Sequence, residues 1–397
     1  MTSWARAFGR TGRVAPFLVL ALALAACGGT SAEYPQSTLH PKADFARMID
    51  GVFMTTVWWS LAVFILVEGA LLYVIFRYRG KPDDAEPNQV HGNTTLEIIW
   101  TAIPALILAM IAVPTVRAIF ETYEVPKGGD VLEIEVVGHQ WWWEFRYPEY
   151  GVTTANELHV PVGRTVLLRM KAYDVLHSFW VPQFAAKRDV FPNRTTTLWF
   201  RADSTGYYSG QCAEFCGVQH GRMAFHVAAT SPEEFDGYVK GLQATAMPAA
   251  APAGTAPADS AAVRTTAAAP VTTTTLAATQ QGSQTPAVRP APRDSVPPPA
   301  PATPAAGSVA EGQKLFAQRG CVACHSINAT KPMGIGPNLA NVGSRRYIGA
   351  GMLQNTDENL ALWIKDPQAI KHGVLMANLG LTIEQARSVA GYLRTLK

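Results

Sequence analysis

Two long apolar stretches constrain the fold of this chain more than any other feature of its sequence. The first covers residues 52–76 and the second covers residues 96–120. Each is long enough to cross about 30 Å of hydrocarbon as a helix, and the two prolines of the second stretch are tolerated in such helices. Buried core helices are the alternative, but stretches of this length with so few charges disfavour it. The sequence therefore predicts two transmembrane helices.

The composition agrees with a chain that lies only partly in a membrane. Charged residues make up 16% of the sequence, below the roughly 25% usual for soluble proteins. The mean hydropathy of +0.07 is nevertheless too low for a chain that lies wholly in lipid. A net charge of +3 excludes a strongly cationic nucleic-acid binder, so no nucleic-acid partner is predicted.

The N-terminus has the pattern of an export signal. Residues 1–26 carry three arginines in their first half, and an apolar run follows that is too short to span a bilayer. The run ends as Leu24-Ala25-Ala26-Cys27, which resembles the cleavage box of bacterial lipoproteins. In that family the cysteine becomes the lipidated first residue, so Cys27 is the predicted lipidation site. A plain signal peptide that happens to contain a cysteine is the alternative.

The basic residues between the two spans predict the orientation of the chain. Arg77, Arg79 and Lys81 lie in the connection 77–95, which the positive-inside rule makes cytoplasmic. The short segment 27–51 and everything after residue 120 then lie on the outer, periplasmic side. The prediction is a multi-pass protein of the bacterial inner membrane.

The region after the second span divides into three parts. Residues 121–240 alternate apolar and polar positions in short runs separated by turns, which favours a β-sandwich or barrel. Residues 241–308 are dominated by Ala, Pro and Thr and predict a disordered linker. Residues 309–397 have helical apolar spacing and predict a compact all-α domain. The predicted fold is thus a multi-domain membrane protein.

A cluster of soft ligands lies in the predicted β domain. Two thiols, an imidazole and a thioether fall within 12 residues, and a second histidine lies 35 residues upstream. Sulfur and imidazole ligands together select copper, but a blue-copper site needs only one thiolate. Two thiolates four residues apart can instead bridge two copper ions, with one histidine on each and weak outer ligands from a thioether and a backbone carbonyl. The predicted copper ligands are His177, Cys212, Glu214 through its carbonyl, Cys216, His220 and Met223.

Two other interpretations of this cluster remain. A Cys212–Cys216 disulfide is compatible with an exported domain, but it leaves the histidines and Met223 unexplained. Zinc takes two cysteines and two histidines, but a thioether is a poor zinc ligand and the usual paired histidine spacing is absent.

The C-terminal domain carries the haem-attachment signature Cys321-Val-Ala-Cys324-His325. The two thiols predict thioether bonds to haem c, and His325 predicts one iron ligand. A redox-active thiol pair is the alternative, but the βαβ pattern it needs is absent. The predicted sixth iron ligand is Met376, and Met333 and Met352 compete with it. A Met/His pair would raise the haem potential into a range suited to an electron donor.

These motifs together resemble a known family. Residues 27–240 are similar to subunit II of the haem–copper cytochrome c oxidases in the paired spans, in the copper motif and in two shorter segments. Those segments are Trp141-Trp-Trp after Gly138-His-Gln, and Asp174-Val-Leu-His-Ser. Residues 309–397 resemble a class I cytochrome c, a combination similar to the caa-type oxidases.

The resemblance implies a fold, a set of cofactors and several residue roles. It implies a cupredoxin-like barrel that holds a binuclear copper A centre with the six ligands given above. It implies that the Glu214 side chain helps to hold a magnesium ion shared with subunit I, and that Trp141 is the residue through which electrons reach copper. It also implies that Glu97 lies at the mouth of a proton channel.

The resemblance further implies a function in respiration. Electrons would pass from soluble cytochrome c or another donor to haem c, then to copper A, then to subunit I. Oxygen would be reduced to water there, coupled to proton translocation, in a complex with subunits I and III. An electron carrier without an oxidase partner and a nitric oxide reductase subunit remain alternatives. Quinol oxidase subunits are excluded because they lack the copper ligands.

The charges of the two outer domains favour their encounter. Residues 121–240 carry 11 basic and 15 acidic side chains, a formal charge of −4, whereas residues 309–397 carry 10 and 5, a formal charge of +5. Opposite charges on a flexible tether predict salt-dependent electron transfer between the two domains.

Overall fold

The computed structural model describes residues 34–79, 92–126, 129–245, 306–331 and 335–397. The predicted export signal, Cys27, most of the connection 77–95, most of the linker 241–308 and the competitor Met333 lie outside these residues.

Two long helices contain the apolar stretches, and they contact each other. They are α1 (Asp44–Arg77) and α2 (Thr94–Tyr123). Their most apolar windows have a mean hydropathy of 2.2, and none of the residues in those windows is buried. Both helices are therefore long and apolar enough to cross a membrane, in agreement with the predicted pair of apolar helices.

The β domain consists of two five-stranded sheets. The apolar residues that alternate along the sequence are the ones that the strands bury. Leu132, Ile134 and Val136 of the first strand point into the core, while the residues between them are half-buried. The strands are β1 (Val131–His139), β2 (Trp142–Tyr147), β3 (Val152–Ala155), β4 (Glu157–Pro161), β5 (Thr165–Ala172), β6 (His177–Trp180), β7 (Arg188–Val190), β8 (Thr196–Phe200), β9 (Gly206–Cys212) and β10 (Ala224–Thr230).

The sheets follow a mixed topology around an aromatic core. One has the order β3-β2-β1-β5-β8 and the other the order β4-β10-β9-β6-β7. The pairs β1–β5 and β4–β10 are parallel, and the other pairs are antiparallel. Trp143, Phe179 and Phe225 are fully buried together, with ring centroids 4.4–5.5 Å apart. The β-rich, cupredoxin-like domain predicted from the sequence is confirmed.

The membrane helices join the β domain at strand β8. The Asp44 carboxylate at the start of α1 accepts the Arg201 N–H at 2.9 Å, and Phe45 packs edge-on against Trp199. The Trp199 indole donates to the Thr122 carbonyl at the end of α2, at 3.1 Å. After β10, helix α3 (Pro232–Ala244) covers the sandwich.

The C-terminal domain is helical, as the sequence predicts. Helix α4 (Ala306–Gln318) packs against the last helix so closely that a Cβ on Gly312 would lie 1.9 Å from the Ser388 carbonyl. A glycine is therefore required at this crossing. The remaining elements are α5 (Asp357–Lys365), α6 (Pro367–Ile370), α7 (Ile383–Leu393) and the two-stranded ribbon β11 (Tyr347–Ile348) and β12 (Leu353–Gln354).

Candidate metal centre and adjoining cavity

Two buried thiols lie at the centre of the candidate metal site. The Sγ atoms of Cys212 and Cys216 are 3.8 Å apart, and the two cysteines are not joined as a disulfide. Cys212 ends strand β9, and Cys216 lies in the loop that leads from β9 to β10. Strand β6 pairs with β9 so that Phe179 lies opposite Cys212, which brings His177 at the start of β6 to the same site.

The other predicted ligands divide between the two sulfurs. Nδ1 of His177 lies 3.8 Å from Cys212 Sγ, and the Glu214 carbonyl lies 3.3 Å from it. On the other side, Cys216 Sγ lies 3.7 Å from His220 Nδ1 and 3.8 Å from Met223 Sδ. Each sulfur thus has one imidazole and one weak donor beside it. Because sulfur and imidazole donors prefer copper, this donor set fits copper ions.

The two thiols shift each other's pKa in opposite directions. Contact with the Cys216 thiol, against the opposing effect of burial, lowers the pKa of Cys212 to about 3. The same contact, together with burial, raises the pKa of Cys216. Because metal ions bind cysteines as thiolates, their binding would remove the protons of both groups.

Asp174 orients the His177 ring. Nε2 of His177 donates to Asp174 Oδ1 at 2.9 Å, which leaves Nδ1 directed at Cys212. The other Asp174 oxygen accepts the Gln140 N–H at 2.6 Å. Burial opposes the charged imidazole, but the bonds to Asp174 and Cys212 raise the pKa of His177. The sequence prediction omitted Asp174, although an acid three residues before a ligand histidine is a signal for this role.

The three consecutive tryptophans occupy three different surroundings. Trp143 is fully buried beside His177, with ring centroids 5.8 Å apart, and Trp142 stacks on His139 at 4.1 Å. Trp141 is half-buried, and its indole Nε1 donates to the Cys216 carbonyl at 3.0 Å. Gly217, at φ +115°, leaves room for this ring, because a Cβ there would lie 3.0 Å from it.

A cavity in the C-terminal domain holds the haem-attachment motif. Cys321, Cys324, His325 and Met376 line it, together with apolar side chains. Trp141 and Trp142 of the β domain complete its wall. Met352 is not among the described residues that line this cavity, whereas the predicted partners His325 and Met376 both are.

The local geometry of His325 fits an iron ligand. Its Nδ1 lies 2.8 Å from the Pro337 carbonyl and donates to it, which leaves Nε2 as the coordinating atom. Burial lowers the pKa of His325, so the ring is neutral, as coordination requires. Gly336 makes room for the ring, because a Cβ there would lie 2.6 Å from its Cε1 atom. The cavity and its residues therefore fit a covalently attached haem.

Gln368 organises the segment that carries Met376, a role that the sequence prediction missed. Its Nε2 donates to the Val374 carbonyl at 2.7 Å and to the Met376 carbonyl at 2.8 Å. Its Oε1 accepts the Gly373 N–H at 2.9 Å. One side chain thus holds three backbone groups of a loop that has no regular secondary structure.

Comparisons with known proteins cover nearly the full length of the chain. Family profiles match residues 39–118 (cytochrome c oxidase subunit II, transmembrane domain), residues 151–230 (its periplasmic domain) and residues 309–397 (cytochrome c). Cytochrome c oxidase subunit 2 of Alkalihalophilus pseudofirmus is 34% identical over 97% of each chain. The chain belongs to the cytochrome c oxidase subunit 2 family.

Two further proteins are similar to this chain. Cytochrome c oxidase subunit 2 of Bacillus sp. PS3 is 30% identical over 96% of each chain. Among solved structures, the periplasmic domain of subunit II of the Bradyrhizobium japonicum oxidase is 33% identical. That match covers 30% of this chain and 95% of the other, with a TM-score of 0.28. The family assignment implies copper A and haem as cofactors of this subunit 2, and it makes the chain a membrane protein.

Two further residues with predicted roles in subunit 2 have local partners. Glu97 lies in the first turn of α2, where its Oε1 accepts the Asn93 N–H at 3.3 Å. The Glu214 carboxylate lies 4.0 Å from the Lys187 ammonium and is partly exposed.

Proposed function

We propose that this chain accepts electrons from soluble cytochrome c or a similar donor and passes them to subunit I of a respiratory oxidase. Electrons would reach haem c first, then the copper A centre, then subunit I. Oxygen would be reduced to water there, coupled to proton translocation, in a complex that also contains subunit III. This chain would supply the ligands and the path between them, and the oxygen-reducing site would lie in subunit I.

One observation carries this proposal. Trp141 lines the haem cavity and also donates a hydrogen bond to the carbonyl of Cys216, one of the two thiol residues. A single side chain thus connects the wall of the haem cavity with the metal centre. We take Trp141 as the residue through which electrons leave the haem for copper.

The ligand roles form part of the proposal. Six residues would hold two copper ions, the thioethers would hold haem c, and an axial pair would bind its iron. The grouping of donors around two sulfurs supports the first role, and the shared cavity supports the others. The copper ligands would be His177, Cys212, Glu214, Cys216, His220 and Met223, and the haem ligands Cys321, Cys324, His325 and Met376.

Two carboxylates would serve the interface with subunit I. The Glu214 side chain would help to hold a magnesium ion shared with subunit I, next to the copper ligand that its own carbonyl forms. Glu97, at the start of α2, would lie at the mouth of a proton channel. Its exposure at a helix end supports a position open to a partner subunit.

The chain would be anchored in the bacterial inner membrane with both redox domains on the periplasmic side. Its export signal (1–26) would be removed, and Cys27 would be lipidated. The rest of the chain would consist of the segment 27–51, the spans 52–76 and 96–120 with the cytoplasmic connection 77–95 between them, the copper domain 121–240, the linker 241–308 and the cytochrome domain 309–397. The basic residues of the connection between the spans support this orientation.

Time-resolved reduction of the purified oxidase complex tests the proposed order. After a flash reduces haem c, the haem absorption should revert while the near-infrared band of copper A disappears, with one electron lost for one gained. The rate should not depend on protein concentration, because donor and acceptor belong to one chain. Copper reduction that bypasses haem c, or a rate proportional to concentration, would contradict the order.

A further inference from the structure

Among the contacts between the cytochrome domain and the β domain, two short segments of the cytochrome domain lie beside the haem cavity and near the metal centre. They are residues 349–351, which follow strand β11, and residues 370–373, which follow helix α6. We call these two segments the docking face. Both contact residues near the metal centre, so their fit decides how the haem cavity meets Trp141.

The first segment is inserted against Trp142. Ala350 is 3% exposed and packs with Trp142 and Ala155, both buried. Its carbonyl accepts the Ala224 N–H at 3.1 Å, next to the ligand Met223. Ala350 has φ +61°, between two glycines that are also in the left-handed region. This compact turn brings its backbone against the β domain.

The second segment receives hydrogen bonds from the loop that carries the copper ligands. Arg222 donates to the Ile370 carbonyl at 3.0 Å, and the Gln219 side chain donates to the His372 carbonyl. A Cβ on Gly373 would lie 3.0 Å from a methyl group of Val218, so the two loops are in close contact. Gln219 and Arg222 flank the ligand His220 and its 3-10 turn.

Lys371 joins the two segments to Trp141. Its Nζ donates to the Trp141 carbonyl at 3.1 Å and to the Gly349 carbonyl at 3.3 Å. The side chain is only 2% exposed, and among the described residues no carboxylate pairs with it. Lysine is rarely buried this deeply without an acidic partner. We therefore expect the role of Lys371 to depend on the two carbonyls that its ammonium group contacts.

We propose that Lys371 is a positioning residue that holds Trp141 against the haem cavity, and that the docking face is the surface on which the cytochrome domain must seat for electrons to reach copper. The inference rests on the proposed function. Trp141 is held from both ends, because its indole bonds to the Cys216 carbonyl and its own carbonyl accepts from Lys371. Without Lys371, the first bond remains while the hydrogen bond from the cytochrome domain to the Trp141 carbonyl is lost.

Flash reduction of the purified oxidase complex tests this role in two variants. Lys371→Met keeps a long side chain but removes the donor, and the haem-to-copper rate should fall about tenfold, the effect of losing roughly one hydrogen bond. Ala350→Asn places a polar group against Trp142 without changing the charge, and asparagine tolerates the left-handed backbone. It should slow the transfer as well. Haem and copper spectra should match the wild type in both variants, since neither residue is a proposed ligand.

Lys365→Met is the matched control, because Lys365 is an exposed lysine of the same domain. It should keep the wild-type rate at high salt, whereas Lys371→Met should remain slow. A small-molecule reductant should also reduce copper A faster in Lys371→Met, because looser seating of the docking face exposes Trp141. A merely structural defect would not speed up this direct reaction.

The outcomes separate the inference from the function on which it rests. If the wild type transfers electrons from haem to copper and both Lys371→Met and Ala350→Asn do so at the same rate, the inference is overturned. The proposed electron path would then remain intact. A slow Lys371→Met that recovers fully at high salt would also overturn it, because the lysine would then act only as a distant charge. Absence of intramolecular transfer in the wild type would instead contradict the proposed function.

Discussion

The indole of Trp141 and the carbonyl of Cys216 are joined by a hydrogen bond of 3.0 Å across the boundary between the haem cavity and the metal centre. The bond is possible because Gly217, next in the chain, has no side chain to displace the ring. The same tryptophan accepts a bond from Lys371 of the cytochrome domain. The haem cavity and the candidate metal centre therefore both contact one residue, and we expect substitutions on either side of it to have measurable effects.

Asp174→Asn should weaken copper binding by about 10- to 100-fold, because metal-binding histidines depend on the group that orients them. Asp174 accepts from both His177 Nε2 and the Gln140 N–H, and an amide offers only one acceptor oxygen for these two donors. Copper retention against a graded chelator measures the effect. Asp236→Asn, an exposed acid on α3, removes the same charge and should bind copper normally. Equal retention in the two variants would show that Asp174 does not orient His177.

Gln368→Ala should weaken the bond between Met376 and the haem iron. The substitution removes three hydrogen bonds that order the loop around Met376, and each contributes about 1 kcal/mol. The far-red absorption of sulfur-ligated ferric haem should diminish, and the haem midpoint potential should fall. Gln318→Ala, at an exposed position of α4, is the control and should change neither quantity. An unchanged potential in Gln368→Ala would argue against this role or against Met376 as ligand.

Electron transfer from haem to copper should become more efficient as the pH rises from about 7 towards about 10. Burial, with a smaller contribution from Arg222 and against the opposing effect of Cys216, lowers the pKa of Lys371 to about 7 from its ordinary 10.5. When the cytochrome domain is released, the amine is exposed again and takes up a proton in this pH range. The docked state therefore gains stability as the pH rises through it.

Comparing the pH profiles of the electron-transfer rate in the wild type and in Lys371→Met checks the direction of this pH dependence. The wild-type rate should increase with pH above about 7, and Lys371→Met, which has no amine to titrate, should give a flat profile over the same range. A profile that falls with rising pH, or one shared by both proteins, would rule out Lys371 as the titrating group.

The roles of residues that belong to a short sequence motif could be predicted from the sequence. Soft ligands within 12 residues indicated a copper site, and in the structure Cys212, Cys216, His220 and Met223 lie together with the distant His177. The alternating pattern of 121–240 likewise predicted a β-rich domain, since side-chain periodicity follows directly from strand geometry.

Residues whose role depends on how the domains meet could not be predicted in this way. Lys371 carries no motif, and its function arises only because the 370–373 segment packs on the copper-ligand loop. Gln368 is similar, because its three partners lie in an irregular loop. The sequence predicts an attraction between oppositely charged domains, whereas the contacts near the metal centre use backbone carbonyls as acceptors. The net charges of the two domains bear on how they attract each other, but they do not predict which residues are in contact.

The most direct test of the copper assignment is electron paramagnetic resonance of the purified full-length protein, combined with elemental analysis. Two sulfurs 3.8 Å apart, each with its own imidazole, predict two copper ions for each chain. The oxidised protein should show one unpaired electron with equal hyperfine coupling to two copper nuclei. One copper ion for each chain, or a spectrum in which a single nucleus carries the electron, would contradict the binuclear centre.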